Sequence, residues 1–424
     1  MFGSEPEAPG TIVMSFKLTI GKIARLGIAA FHNEAIISVR PHFPELDGYL
    51  FKVLPQFARQ GDTKGAIKGA TLNRASISNI LLPLPPLAEQ KRIVAKVDEL
   101  MALCDQLDKA RAEREATCDR LAAASLARLN APDPETFQDD ARFALNALPG
   151  ITARPDQVKQ LRQTILNLAV RGKLVPQDPK DEPASELLKR IDAKKGRADC
   201  ANALGDPNSE VFPVPSNWKW VALDRLIVWG PQNGISPRPT KREDAPKAIT
   251  LTATTSGKFN PAHFKHVDAK IPVGSDFWLR DGDLLFQRGN TRDYVGMAAV
   301  YRGPPNKFLF PDLIIKVQVS DQLSLSYVHL ASVSPPARAF LSANATGAQA
   351  TMPKINQATL VSLPIPLPPL AEQHRIVTKV DELMSLCDRL EAGLTKSGDV
   401  RGRLLDALLH ETLRPMKSEL GVAA

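Results

Sequence analysis

The sequence predicts an internally duplicated α+β chain in which β-rich segments are followed by long helices. The main observation is that Leu84-Pro-Pro-Leu-Ala-Glu-Gln90 returns 283 positions later as Leu367-Pro-Pro-Leu-Ala-Glu-Gln373. Between Leu82–Asp108 and Ile365–Glu391 there are 21 identities in 27 positions without a gap. A repeat of this length indicates that one structural unit occurs twice.

Each copy is predicted to begin a long helix. Pro85 and Pro86 suit the segment that enters a helix, because a fixed φ is useful there and a missing N–H costs nothing. The helices are expected to start near Ala88 and Ala371 and to run for about 40 residues, or ~60 Å. An ordinary amphipathic core helix is the alternative for one copy, but the duplication favours a spacer or a docking surface.

Apolar residues recur along both helices at spacings of four and three, which is typical of a heptad seam. The predicted helix-packing residues are Ile93, Val97, Leu100, Cys104, Leu107, Ile376, Val380, Leu383, Cys387 and Leu390.

Composition and turn signals divide the chain into seven segments. The long segment 211–365 alternates short apolar runs with Gly, Pro and Asn, which predicts a mostly β domain. The predicted segments are a disordered leader (1–13), a partial β-containing domain (14–82), the first helix (83–130), a linker with short helices (131–210), the second β-rich domain (211–365), the second helix (366–412) and a tail (413–424).

The cysteines and the hydropathy pattern predict a cytoplasmic protein without a membrane segment. The four cysteines show no CxxC spacing, so packing thiols are favoured over metal ligands. The N-terminal residues lack a basic region followed by an apolar stretch, and no run approaches 18 apolar residues.

The positive charge is concentrated outside the repeated helices. Residues 1–82 carry +3 and residues 211–365 carry +7, whereas the rest of the chain carries −2. This distribution is expected if the β-rich segments face a polyanion and the helices face protein. An ordinary solvated surface is the alternative.

Catalytic and metal-binding signatures are absent from the sequence where they would be expected. No GxGxxG or GxxxxGK[ST] motif is present, and Asn260-Pro-Ala-His263 lacks the residues that an amino-methyltransferase tetrapeptide needs. Basic, amide, hydroxyl and aromatic side chains on predicted loops instead suit phosphate and base-edge contacts. The candidate DNA-binding residues are Lys241, Arg242, Arg288, Asn290, Thr291, Arg292, Tyr294 and Lys354.

At this point the sequence resembles the specificity (S) subunits of type I restriction-modification systems. The resemblance rests on the two repeated motifs with their helices, on the stretch from Leu161 to Asp178, and on Asp181-Glu-Pro-Ala-Ser-Glu-Leu-Leu-Lys-Arg-Ile191. Trp218-Lys-Trp220 and Gly282-Asp-Leu-Leu-Phe-Gln-Arg288 also look like target-recognition domains of that family.

The resemblance implies a non-catalytic DNA-reading scaffold. Two target-recognition domains would each read half of a split site in double-stranded DNA, and their helices would pack as an antiparallel coiled coil. Modification (methyltransferase) subunits, which carry S-adenosylmethionine, and restriction (endonuclease and translocase) subunits, which use ATP, would be the partners; this chain would need no cofactor or metal. Partner contacts are expected at the helix starts, through Leu87, Glu89, Gln90, Leu370, Glu372 and Gln373.

A fixed offset between the copies aligns Met14 with Met297, so the first target-recognition domain is expected to be N-terminally truncated. It would lack everything equivalent to residues 211–296, including the strand at Gly282–Arg288. Only residues 211–365 are therefore expected to read bases. The alternative is a truncated adaptor that docks modification subunits without reading DNA.

Overall fold

The computed structural model describes residues 5–17, 19–58, 64–66, 69–72, 74–133, 135–195, 212–347 and 352–412. The chain divides into two compact units, residues 1–117 and 118–424. The described residues do not include residues 1–4, the end of the predicted linker from residue 196 onward with Cys200, or the predicted tail (413–424). Among the described helices, none has the length and apolarity needed to cross a bilayer.

The first unit is built on a small antiparallel sheet with the strand order β2-β1-β3. Met14 of the central strand packs with Leu54 and Ala58 of the following helix. The elements are β1 (Ile12–Ser15), β2 (Ile23–Arg25), β3 (Ile36–Val39), α1 (Asp47–Ala58), β4 (Lys64–Ala66), β5 (Gly69–Thr71) and α2 (Arg74–Ser78).

Residues 5–13 are part of this unit, which corrects the predicted leader over residues 1–13. β1 begins at Ile12, so the predicted boundary at Met14 falls inside a strand. Ile12 is 1% exposed, and the Glu7 carboxylate accepts a hydrogen bond from Arg40 at 2.5 Å. Ile12 and Val13 are buried in a sheet whose other strands come later in the chain, so the local sequence does not show that this stretch is ordered.

The first long helix, α3 (Leu87–Asn130), has 44 residues and begins one residue before the predicted start. Its N-terminal part contacts α1, since Lys52 pairs with Asp98. In the second unit, its C-terminal residues Ala122, Leu126 and Leu129 form a small core with the helices that follow.

Four helices follow, in the segment predicted as a linker with short helices. They are α4 (Phe137–Asn146), α5 (Leu148–Ile151), α6 (Pro155–Val170) and α7 (Ala184–Lys195). Pro155 occupies the first turn of α6, and the Gln157 side chain accepts a hydrogen bond from the Arg154 N–H at 3.2 Å. Gly172, with φ of +66°, follows the helix.

The second unit contains the β-rich domain that was predicted over residues 211–365. A four-stranded sheet has the order β11-β10-β13-β7, a three-stranded sheet has the order β12-β8-β9, and β14 pairs with β6. The elements are β6 (Lys219–Ala222), α8 (Leu223–Leu226), β7 (Ile227–Asn233), β8 (Lys247–Ile249), β9 (Phe264–His266), β10 (Leu284–Gln287), β11 (Ala298–Val300), β12 (Phe308–Leu309), β13 (Ile314–Val319), α9 (Leu325–Val333), α10 (Pro335–Ala343), α11 (Gln357–Val361) and β14 (Pro364–Leu367).

The second long helix, α12 (Leu370–Thr412), has 43 residues and packs mainly on α6 and α9 of its own unit. Ile376, Val380 and Cys387 are buried in the large core that these elements share. The mixed α and β organisation and the two long helices are thus confirmed, whereas their antiparallel pairing stays a prediction.

The three-stranded sheet of the first repeat matches three of the four strands in the second, which corrects the predicted alignment of Met14 with Met297. β1 is the central strand of its sheet, and Met14 lies opposite Ile23 of β2 and Ile37 of β3. β10 is likewise central, between β11 and β13, and its Phe286 holds the same register position as Met14. β1 therefore corresponds to β10.

The glycines before the two strands agree with this correspondence, since φ is +86° at Gly10 and +85° at Gly282. A counterpart of the 282–288 strand, expected to be missing from the first repeat, is thus present at residues 10–15. The connection from the central strand to the next one is longer in the second repeat. The offset of 283 positions that aligns the two helices therefore does not align the strands.

Candidate nucleic-acid interface and helix-start contacts

The loop after β10 begins at Arg288, whose backbone is fixed on both sides. Its N–H donates to the carbonyl oxygen of Leu313 at 2.7 Å, and its carbonyl oxygen accepts from the N–H of Ile355 at 2.8 Å. The side chain is half-buried, and its guanidinium has no hydrogen-bond or ion-pair partner among the described residues. A guanidinium with free donors on a fixed backbone is suited to contact with a phosphate or a base edge.

Asn290 shapes this loop from within. Its Nδ2 donates to Gln287 Oε1 at 2.6 Å, and its Oδ1 accepts from the Thr291 N–H at 2.8 Å. Gln287 is itself buried and donates to the carbonyl oxygen of Leu251 at 2.9 Å. The amide predicted to bind DNA is thus already engaged inside the protein, which favours a structural role for Asn290.

The tip of the loop carries Thr291, Arg292 and Tyr294, all exposed. The Thr291 carbonyl oxygen accepts from the Tyr294 N–H at 3.0 Å and from the Val295 N–H at 2.8 Å, which closes a tight turn. Arg338 supports the turn from below by donating to the carbonyl oxygen of Asp293 at 3.0 Å. The exposed side chains therefore stand on a fixed backbone.

Lys354 lies beside the start of this loop, on the segment that pairs with Gly289. Its backbone also exchanges hydrogen bonds of 2.8 and 2.9 Å with Thr346. A Cβ added at Gly289 would lie 3.1 Å from Lys354 Cγ and 3.2 Å from Leu313 Cδ2, so glycine permits this close approach. The structure therefore places Lys354 beside Gly289, the residue that follows Arg288.

Lys241 and Arg242 lie on a different loop, between β7 and β8. The Thr240 N–H anchors this loop by donating to the His266 carbonyl oxygen at 3.0 Å. Both basic side chains are exposed, and Arg242 lies 3.5 Å from the Asp244 carboxylate. Six of the eight predicted DNA-binding residues are thus gathered at the end of β10, and two belong to a second loop.

The gathered side chains have the chemistry of a nucleic-acid contact. Arg288, Arg292 and Lys354 offer cations for phosphates, and Tyr294 is 40% exposed. No group of three or more His, Cys, Asp or Glu in the described ranges is arranged to hold a metal ion.

At the start of α12, Glu372 is fully buried and accepts two hydrogen bonds. Trp218 Nε1 donates to its Oε2 at 2.9 Å, and Gln177 Nε2 donates to its Oε1 at 2.5 Å. Burial raises the pKa of the Glu372 carboxyl above its ordinary value. Nothing in the sequence pairs Gln177 or Trp218 with Glu372, because they lie 195 and 154 positions away.

Gln373 is also fully buried and turned into its own domain. Its Nε2 donates to the Pro368 carbonyl oxygen at 3.0 Å, and its Oε1 accepts from the Ser324 N–H at 3.0 Å. The partner-binding role predicted for Glu372 and Gln373 is therefore corrected to an intramolecular one that fixes α12 on the β-rich domain. Leu370 is half-buried beside them.

The raised pKa of the buried Glu372 carboxyl predicts that the stability of the folded chain depends on pH. Because its pKa is raised in the folded chain, folding favours the protonated form, and this stabilisation is present below the ordinary pKa of 4.5 and lost as pH rises through the folded value. We expect the wild-type chain to gain stability over Glu372→Gln as pH is lowered from 7 toward 5. Urea unfolding at several pH values measures this, and a pH-independent difference between the two proteins would contradict it.

The start of α3 has the same motif but different surroundings. Glu89 is exposed, and Leu87 is 42% exposed. Gln90 is buried, and its Nε2 donates to the Pro85 carbonyl oxygen at 2.7 Å. Of the predicted partner-binding residues, Leu87 and Glu89 are thus the accessible ones.

The heptad seams of the two helices also differ in exposure. In α12, Ile376, Val380 and Cys387 are buried, and Leu383 and Leu390 are partly buried. In α3, Ile93 and Val97 are half-buried, whereas Leu100, Cys104 and Leu107 are exposed. One sequence pattern thus gives a core-facing seam in the second repeat and a largely exposed one in the first.

Comparison with known proteins gives a consistent family assignment. The family model for the type I restriction modification DNA specificity domain matches residues 7–114 and again residues 282–397. The chain is 29% identical over 377 residues to the type I restriction enzyme EcoEI specificity subunit of Escherichia coli, which covers 85% of this chain and 63% of that protein. It is 33% identical over 263 residues to the EcoAI specificity subunit of the same species, covering 59% of this chain and 44% of the relative. The chain therefore spans less than two thirds of these relatives.

A solved structure supports the fold. A chain from work on complex assembly and conformational transition of the type I R-M system aligns with a TM-score of 0.52 and 18% identity, covering 96% of this chain and 82% of that one. The two matches of the family model fall on the two repeats, so the internal duplication found in the sequence is confirmed.

Proposed function

Because the chain belongs to the type I restriction-modification DNA specificity family, we propose that it is the non-catalytic specificity subunit of a type I complex in the cytoplasm. It binds double-stranded DNA and directs adenine methylation and cleavage by modification and restriction subunits to a two-part site. The observation that carries this proposal is the loop at residues 288–294 with Lys354, where exposed donors stand on a fixed backbone in a domain of charge +7.

In this proposal the β-rich domain at residues 211–365 reads bases. Arg288 and Arg292 are the strongest candidates for base or phosphate contacts, because their guanidinium groups have no partner among the described residues. Lys241, Arg242 and Lys354 contact phosphates, and Tyr294 packs on the sugar-phosphate backbone.

A second candidate is an adaptor that docks modification subunits without reading DNA. The exposed seam residues of α3, including Leu100 at 49% and Leu107 at 61%, favour a protein contact there. The two candidates differ in whether the assembled complex prefers one DNA sequence over random duplex, because phosphate contacts alone give steeply salt-dependent binding without such a preference.

Base-resolved methylation mapping tests the proposed function directly. Cells that express this chain with a modification subunit are compared with cells that lack the chain. A two-part methylated motif with a fixed spacer supports reading by both repeats, and a motif with one defined half, or a symmetric repeat of it, supports reading by residues 211–365 alone. If methylation does not depend on this chain, the adaptor is the candidate function that remains.

Arg288→Ala tests the reading loop at the level of one residue. If the guanidinium reaches a base edge, specific binding should weaken by ~1–3 kcal/mol while binding to random duplex changes much less. Arg302→Ala, which removes an exposed arginine paired with Asp281, is the matched control. Equal losses on both DNAs at one salt concentration would assign Arg288 to phosphate contact.

A further inference from the structure

The start of α3 presents an apolar and acidic surface that is covered at the start of α12. Leu84 is 66% exposed, although it has the place of Leu367 in the repeated motif, and the preceding Leu81 is 87% exposed. With Leu87 and Glu89 they form what we call the helix-start surface. Among the described residues, the Glu89 carboxylate has no side-chain partner.

The second repeat shows what covers this surface. There β14 pairs with β6 along its whole length, from Pro364 opposite Ala222 to Leu367 opposite Lys219. Leu367, the counterpart of Leu84, is fully buried. Residues 81–84 of the first repeat form no strand pairing in the described structure.

The same backbone arrangement underlies both helix starts. Tyr327 on α9 donates its hydroxyl to the Pro366 carbonyl oxygen at 2.6 Å, and Tyr49 on α1 donates to the Pro83 carbonyl oxygen at 2.9 Å. Because these contacts match, the missing cover is not explained by a different path of the chain through residues 81–84.

Gln90 gives a second indication that the start of α3 lacks a packing partner. Its Oε1 is buried without a hydrogen-bond partner, whereas Gln373 Oε1 accepts from the Ser324 N–H just before α9. The Leu46 N–H, just before α1, donates instead to the Phe43 carbonyl oxygen at 3.0 Å. A buried unsatisfied oxygen is uncommon in a completed interior.

We propose that the helix-start surface docks a segment of another polypeptide chain that carries a short strand preceded by a tryptophan. The strand pairs with residues 81–84 through the Leu82 and Leu84 N–H groups, since Pro83 has none. The tryptophan indole donates to the Glu89 carboxylate, as Trp218 donates to Glu372. The segment covers Leu84 and Leu87, as the second repeat covers its own helix start.

Trp218 and the strand that follows it are already occupied in the second repeat, so they are not free to cover the first. Residues 219–222 pair with β14, and Trp218 is 2% exposed against the second helix start. Moving them to the first repeat would uncover an equal surface in the second, so no net burial would result. This proposal does not depend on DNA reading, since none of its contacts involves the loop at residues 288–294.

The test uses the full chain and a fluorescein-labelled synthetic peptide with the sequence of residues 212–222, followed by fluorescence anisotropy. We expect saturable binding that Glu89→Arg weakens by at least about 10-fold, equivalent to about 1.4 kcal/mol. Glu113→Arg makes the same charge change at an exposed position further along α3 and should leave the affinity unchanged. A peptide with Trp218→Phe, which keeps an aromatic ring but loses the indole N–H, should bind more weakly.

Two results would overturn the proposal. Equal affinity of the peptide for the wild-type and Glu89→Arg chains would place it elsewhere, for example on β14 after exchange with β6. Absence of peptide binding would also overturn it, and a Glu89-dependent dimer in light scattering would then assign the surface to a second copy of this chain. Circular dichroism of Glu89→Arg checks that the exposed substitution leaves the helix content intact.

Discussion

Replacing Asp283 with alanine should lower the free energy of unfolding of the β-rich domain by about 3–5 kcal/mol. Asp283 and Lys316 are both buried, and Lys316 Nζ lies 3.5 Å from the Asp283 carboxylate. Asp283 also accepts hydrogen bonds from Gln318 Nε2 at 2.7 Å and from the Arg280 N–H at 2.8 Å. The substitution leaves a buried ammonium group without its anion and two donors without their acceptor.

Tryptophan fluorescence during urea unfolding measures this effect in the right domain, because all four tryptophans lie between Trp218 and Trp278. Asp281→Ala is the matched control: its carboxylate pairs with Arg302 at the surface, so a change within about 1 kcal/mol is expected. The double variant Asp283→Ala, Lys316→Met should recover much of the lost stability, because it removes the unpaired charge. An unchanged unfolding midpoint for Asp283→Ala would show that the pair is not structural.

Cys387→Asp should destabilise the second unit by about 3 kcal/mol, because a carboxylate would be buried in an apolar core. Cys387 is 1% exposed, and burial raises the pKa of its thiol, which keeps it neutral. Its heptad counterpart Cys104 is exposed, so Cys104→Asp should leave unfolding nearly unchanged.

The two cysteine variants are compared under the same conditions, with tryptophan fluorescence for Cys387→Asp and helical circular dichroism for both. A similar loss in both would mean that the α3 seam is packed as tightly as that of α12. Loss of modification-subunit binding by Cys104→Asp alone would instead support a docking role for the α3 seam.

Local sequence was sufficient for the helices and for many strands. The predicted helix starts near Ala88 and Ala371 differ from the observed ones by one residue each. The short apolar runs of residues 211–365 predict strands, and β6 to β13 lie within this stretch. Helix periodicity and alternation of apolar residues are read from near neighbours, so they survive without knowledge of the tertiary fold.

The first sheet was predicted less well. The prediction placed Ile12 and Val13 in a leader and aligned Met14 with Met297, although Ile12–Ser15 form the central strand of the first unit. A short strand carries little periodic signal, and its identity depends on the strands that pair with it. A fixed offset between repeats could not find it because the connecting loops differ in length.

By itself, the sequence determined that a unit occurs twice, that each copy begins a long helix after Pro-Pro, and that positive charge gathers in the β-rich domain. Only the tertiary structure decided that Glu372 is buried under Trp218 and Gln177 while the same residue in the other copy, Glu89, is exposed. The physical reason is the separation along the chain of the residues that interact. Helix formation depends on residues three and four positions apart, whereas the hydrogen-bond partners of buried Glu372 lie 154 and 195 positions away. The two identical motifs therefore form the same local structure, a helix start, but different residues pack against them.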